Sequence, residues 1–192
     1  MLLGMADDNP AAPGDLEKVR QFVNTLDIED AVDAIATPDA LATWLQRRAL
    51  LEEGVRVEAT SVRRAQQLRE SIRACLLANH ERAAAPPAAC AVLNDVAHQA
   101  HLTLALDAQG QWHAGAQATG IDGALGRLVA IVASSMTAGD WQRLKVCLND
   151  ACRWAFYDHS RARTGRWCSM QVCGNRSKQQ AWRHRKEREA TH

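Results

Sequence analysis

Cys147-Leu-Asn-Asp-Ala-Cys152 and Cys168-Ser-Met-Gln-Val-Cys173 together form the pattern C-x4-C-x15-C-x4-C. That spacing leaves few structures open to the chain. Two tight turns each present a pair of thiols, and the insert is long enough for a hairpin that brings the pairs together. Zinc takes four such ligands at tetrahedral angles, with sulfur about 2.3 Å from the metal. Two disulfides, a redox switch that trades zinc for disulfides, and an iron–sulfur cluster are the competing readings. The spacing matches none of the usual cluster-binding runs. Disulfides suit secreted chains, and the opening MLLGMADDNP does not read as a secretory signal. The expectation is therefore one structural zinc ion on Cys147, Cys152, Cys168 and Cys173. Cys75 and Cys90 each stand alone in a helical pattern and read as buried thiols.

The 192 residues suit one globular domain, or one domain with a small appendage. With 47% hydrophobic residues and a formal net charge of +1, the chain is too apolar and too weakly charged for disorder. The best uninterrupted apolar run, Leu128–Ala133, has six residues, whereas a membrane helix needs about 20. The expectation is a soluble, cytoplasmic protein with no membrane partner.

The near-neutral total hides an asymmetry. Residues 1–140 hold 11 Lys/Arg against 18 Asp/Glu, and residues 141–192 hold 12 against 4. Four of the six Trp also fall in the basic stretch. An acidic body joined to a basic tail points to a polyanion partner for the tail.

Residues 1–13, with Pro10 and Pro13, read as a disordered leader. Leu16, Val19, Phe22, Val23 and Leu26 then recur at helical steps. Thr37-Pro38 signals a second helix, with Thr37 as its cap and Pro38 in its first turn. Residues 58–82 are the longest helical candidate, and a fourth helix runs to about Gln99. Residues 102–113 read as strand, turn and strand, with Gly110 where the loop wants positive φ. Residues 122–136 form a strongly apolar helix. The expected fold is mainly α: an α-helical body over 14–140 with one β-hairpin, then a small treble-clef-like zinc finger over 141–190. His80, His98, His101 and His113 are scattered without a nucleophile or carboxylate partner, and no nucleotide-binding or hydrolase motif is present, so no enzyme is expected.

Several motifs in the tail agree in order and spacing. Trp141-x-Arg143-Leu-Lys145-Val-Cys147, Cys152-x3-Phe156-x-Asp158-x-Ser160, Arg166-Trp-Cys168-Ser169 and Cys173-Gly-Asn-Arg176-x-Lys178 together closely resemble the CGNR zinc finger. Upstream, Phe22-Val-Asn-Thr25-Leu26 and Thr37-Pro-x-x-Leu41-x-x-Trp44-Leu45 resemble the opening helices of the ABATE domain that precedes this finger. One departure is the unusually acidic segment between Leu26 and Thr37. The resemblance implies a bacterial protein with a helical regulatory-type domain and a zinc finger, acting in transcription and on the nucleoid when bound to DNA.

Read without the family, Arg163-Thr-Gly165 is a loop between two short strands, with Gly165 at positive φ, and Cys173 opens a helix from about Asn175. That helix carries Arg176, Lys178, Arg183, Arg185 and Lys186, and Arg161, Arg163 and Arg166 lie on the preceding hairpin. These eight are the candidate DNA phosphate contacts. The bland alternative is a solvated helix that docks on the finger through Trp182. Trp154, Phe156 and Trp167 are expected to wrap the metal rather than stack on bases. The leading expectation is a DNA-binding transcriptional regulator whose body senses a small-molecule effector or forms a homodimer. The alternatives are a finger that binds an acidic protein partner, and a small-molecule-binding body with an accessory finger.

Overall fold

A computed structural model describes residues 10–179 together with 182 and 186. Helix α1 spans Leu16–Val23 and buries Leu16, Val19, Phe22 and Val23 on one face. Helix α2, Pro38–Gln46, opens as its sequence signal predicts: the Thr37 hydroxyl accepts from the Ala40 N–H at 3.2 Å, and Pro38 takes the first turn. Helix α3, Ala59–Glu81, ends where Arg82 adopts φ 55°. Pro87 begins α4, Pro87–Gln99, where its missing N–H costs no hydrogen bond. Helix α5 covers Gly120–Ala138 and closes on Gly139 at φ 80°.

Between α1 and α2 stands a short antiparallel pair, β1 (Leu26–Asp27) and β2 (Val32–Asp33). The expected hairpin is β3 (Leu102–Leu106) with β4 (Trp112–Ala116), turning at Gly110 with φ 76°. The body thus has two hairpins rather than one. The first escapes the sequence because each strand has two residues, too few to show alternation.

Helix α5 is long and apolar enough to span a bilayer by length and composition, although no uninterrupted apolar run in it suggests so. Half of that window is buried within the fold, because α5 is the central core helix and packs against α1, α3, α4 and β4. Its approach to the β3–β4 hairpin depends on Gly126, where a Cβ would run into Ala100 and Ala116.

Of the segment expected to be a disordered leader, residues 1–9 lie outside the described residues. Residues 10–13 lie on the fold: Ala12 is 5% exposed and its N–H donates to the Glu17 carboxylate at 2.8 Å.

After α5, a 3-10 turn at Trp141–Arg143 leads into β5 (Leu144–Val146), which pairs antiparallel with β6 (Ala155–Tyr157). Alternation divides this ribbon between two cores. Leu144, Val146, Ala155 and Tyr157 join the main hydrophobic core of the body. Phe156 faces the other way and joins the cysteines that follow β5. The finger and the body therefore share one ribbon.

Candidate metal centre and basic face

The first pair of thiols sits in the loop of the β5–β6 ribbon. Cys147 N–H donates to the Trp154 carbonyl at 2.9 Å, and the N–H groups of Cys152 and Arg153 donate to the Asn149 carbonyl at 2.9 and 3.0 Å. The second pair arrives on a loop held by Leu148 N–H, which donates to the Arg166 carbonyl at 3.1 Å. Cys173 lies in a π-turn, Met170–Gly174, whose first N–H groups are capped by the Ser169 hydroxyl through Val172 at 3.3 Å. Helical backbone follows at 175–179.

All four sulfurs lie within 4.8 Å of one another, and all four cysteines are buried. Cys152 Sγ is 3.6 Å from Cys168 Sγ, and Cys168 Sγ is 3.7 Å from Cys173 Sγ. A tetrahedron with bonds of about 2.3 Å has edges of about 3.8 Å, so the cage fits zinc. The side-chain amide of Asn149 donates toward Cys173 Sγ at 3.8 Å. Phe156, Trp154, Trp167 and Val172 pack around the cage, as expected of a finger with little other core. Four thiolates fill the coordination sphere of one structural zinc and leave no position for water.

Crowding these thiols sets their protonation. Hydrogen bonds from Cys152 and then Cys168 push the Cys147 thiol down to about 2. The same bonds, made to Cys147, push Cys152 up to about 12 and Cys168 upward as well. Without a cation the cage therefore holds a thiolate at Cys147 easily and resists ionising Cys152 and Cys168; a divalent metal supplies the missing charge. Cys75 and Cys90 are not part of the cage. Burial, and then Cys90, push the Cys75 thiol up to about 11, as befits a core thiol.

A second buried site supports the first. Lys145 and Asp158, 6% and 3% exposed at their side chains, form an ion pair at 2.7 Å. Lys145 also donates to the Arg163 carbonyl at 2.7 Å. Asp158 accepts from the Ser160 hydroxyl at 2.6 Å and from the N–H of Gly165 at 2.7 Å. Burial alone would push the Asp158 carboxyl up, but the hydrogen bonds from Lys145, Ser160 and Gly165 hold it at about 2.

This arrangement corrects the reading of residues 156–166. The finger's strands flank the first cysteine pair and do not follow it, and 158–167 is a loop folded around the Asp158 carboxylate. Gly165 is needed there, but not for positive φ, which belongs to Arg163 at 53°. A Cβ at Gly165 would stand 2.9 Å from the carboxylate carbon and Oδ1 of Asp158.

The Cys-Gly-Asn-Arg quartet now has four roles. Cys173 is a ligand. A Cβ on Gly174 would press on Met170 Sδ at 3.0 Å and Trp167 at 3.3 Å. The Asn175 amide donates to the Gln171 carbonyl at 2.9 Å. Arg176 reaches out of the finger and donates to the Glu29 carboxylate at 2.7 Å. Glu29 lies in the turn of the β1–β2 hairpin, which explains the acidic departure: Asp33 of that hairpin is gripped by both terminal nitrogens of Arg69, at 2.8 and 3.0 Å.

Further contacts join body to finger. Asn24 donates to the Ala155 carbonyl at 2.9 Å and accepts from the Ala155 N–H at 2.7 Å. Arg73 donates to the carbonyls of Arg153 and Val23, both at 2.7 Å. Asn79 donates to the carbonyls of Trp141 and Leu144 at 2.9 and 3.2 Å. Sequence reasoning missed these positions. The only signal was that Asn24, Lys145 and Asp158 stand inside the quoted motifs.

The candidate phosphate contacts divide. Arg161, Arg163, Arg166 and Lys178 are exposed, and among the described residues none has a carboxylate partner. Arg166 lies over the Trp167 ring at 5.6 Å, and Lys186 over the Trp182 ring at 5.7 Å. Trp182 is 54% exposed, so it does not dock on the finger. Arg176 is committed to Glu29 and turns toward the body. Arg183 and Arg185 lie outside the described residues.

Two family models match the chain in the expected order: one described as "Putative stress-induced transcription regulator" (ABATE) over residues 19–140, and the CGNR zinc finger over residues 143–186. No curated protein matches it. With most of its body matched by the one model and its metal cage and basic stretch by the other, the chain belongs to the ABATE family and carries a C-terminal CGNR zinc finger.

Proposed function

We propose that the protein is a DNA-binding transcriptional regulator, in which the zinc-held finger presents cations to the phosphate backbone and the helical body senses and dimerises. The observation that carries this reading is the exposed set Arg161, Arg163, Arg166 and Lys178 beside the metal cage, none of it neutralised by a carboxylate among the described residues. The zinc holds the surface in shape and takes no part in chemistry; the reading includes no catalysis. The protein works in the cytoplasm, on the nucleoid when bound.

The test is duplex binding by the zinc-loaded full chain as a function of salt. Each neutralised phosphate releases counterions, so the affinity falls steeply with salt. Replacing Arg161 and Lys178 by Ala is expected to weaken binding to all sequences alike and flatten the salt slope by about two. A double variant that holds its zinc and matches the parent at every salt concentration would refute the phosphate role, and salt-insensitive binding would favour a protein partner instead.

Dimerisation of the body is favoured by one face of the β3–β4 hairpin, where Leu104, Leu106 and Trp112 remain 68%, 56% and 61% exposed. Leu106 and Trp112 are cross-strand partners, so they share that face. Sedimentation is expected to give a dimer, and Leu104→Glu with Trp112→Glu a monomer. A parent that sediments as a monomer at tens of micromolar excludes this surface as the dimer contact.

A further inference from the structure

A cavity of about 470 Å³ lies between the C-terminal end of α3, the Trp141–Arg143 turn, β5 and the loop at Arg163. Asn79, His80, Arg82, Gln142, Lys145 and Arg163 form its polar wall, and its lining includes no Asp or Glu. We propose that this cavity binds a small phosphate monoester, which gives the body's sensing role a ligand class. The inference rests on that sensing role, and Arg163 alone of the wall is shared with the proposed DNA contacts.

The wall is unfinished in one chemical sense: it gathers cations and donors with no carboxylate among its lining to balance them. The guanidinium groups of Arg82 and Arg163 are exposed and make no ion pair or hydrogen bond among the described residues. Lys145 spends two of its three ammonium protons on Asp158 and the Arg163 carbonyl, both at 2.7 Å, and keeps a third. His80 Nδ1 is buried and has no hydrogen-bond partner among the described residues. A buried ring nitrogen left this way is an exception in folded proteins and calls for a partner. Burial, and then the charges of Lys145 and Arg166, push the His80 pKa down, and an anion among these groups would offset the charge effect. The carboxylates nearby do not fill the need. Glu81 is exposed, does not line the cavity and only partly offsets the charges around His80, and Asp158 is already held by Lys145, Ser160 and Gly165.

A terminal phosphate suits this wall better than a backbone phosphate. A monoester offers three terminal oxygens and nearly two charges, which match two guanidinium forks and an ammonium. A duplex backbone offers a singly charged diester flanked by sugars, and Lys145 is only 5% exposed. The volume falls in the range of small-ligand pockets, about 300–1,000 Å³, so there is room for an organic part against Ala78 and Ala83.

The experiment titrates inorganic phosphate into the zinc-loaded full chain by calorimetry, at constant ionic strength and with free zinc removed. Saturable one-to-one binding is expected. Arg82→Gln and His80→Phe should each weaken it at least fivefold, with zinc content and duplex DNA affinity as in the parent. Absence of saturable binding, or unchanged affinity in both variants, overturns the proposal. If Arg82→Gln weakens duplex binding by the same factor as phosphate binding, the cavity is a seat for the DNA backbone and the small-ligand assignment falls. If phosphate fails to bind while the parent still binds DNA, this inference fails and the DNA reading stands. The converse result removes only the DNA reading.

Discussion

Replacing Cys168 by Ser is expected to release the zinc and to destabilise the helical body as well as the finger. Structural zinc contributes about 10–16 kcal/mol of binding free energy in finger peptides, as large as the whole stability of a typical domain. The spacing of the cysteines suggests a finger that melts alone over residues 147–175. The packing argues otherwise. Leu144, Val146 and Ala155 are fully buried in the body's core, and the ribbon that carries them is the one whose loop holds Cys147 and Cys152. Once the cage opens, that ribbon loses its closure, and Asn24, Arg73 and Asn79 lose the carbonyls they donate to. The measurements are zinc per chain and chemical unfolding followed by a helical signal. Zinc should fall to near zero and the unfolding midpoint should drop in a single transition. A variant without metal whose helices unfold at the parent's midpoint would show that finger and body are energetically separate.

The second large effect is at Asp158. Asp158→Ala leaves the Lys145 ammonium buried without its counter-charge, a change that costs about 3–5 kcal/mol when one partner of a buried pair is removed. It also leaves the Gly165 N–H and the Ser160 hydroxyl without their acceptor. The pH dependence has a definite sign. An ordinary aspartate titrates near 3.9, and Asp158 is held at about 2 in the folded protein. Its contribution is therefore present above pH of about 4 and is lost as pH falls toward 2. The stability gap between parent and variant should be constant from pH 7 to about 5 and should close below about 4. The double change Lys145→Met with Asp158→Leu should recover much of the loss, because it removes both charges and fills the space. A gap below about 1 kcal/mol at pH 7 would mean the pair does not hold the loop.

Much of this was legible in the residues. The metal cage follows from four cysteines whose spacing alone prescribes two chelating turns, and α1 and α2 follow from apolar periodicity and from Thr37-Pro38. These are local signals, carried by residues close in sequence. The parts that were not legible are those whose partners lie far apart in the chain. Gly165 reads as a turn glycine because nothing in its neighbourhood announces a carboxylate seven residues earlier folded onto its α-carbon. Arg176 reads as one more phosphate candidate, and its ion pair with Glu29, 147 residues away, has no local signal. Lys145 looked like one more tail cation, although it is 5% exposed and paired. A charge count assigns every cation to solvent; only the fold shows which ones are spent.

Beyond the ribbon side chains buried in its core, the body grips the finger largely at atoms that every amino acid possesses. Asn24, Arg73 and Asn79 hydrogen-bond to the main chain of residues 141, 144, 153 and 155. The exposed side chains at 161–164 are therefore released from the task of holding the molecule together. A lineage can rewrite them, and with them whatever partner the finger recognises, without renegotiating the joint. The same indifference does not extend to fastenings made side chain to side chain, such as Arg176 with Glu29, so a finger moved between relatives carries its requirement for that acid with it.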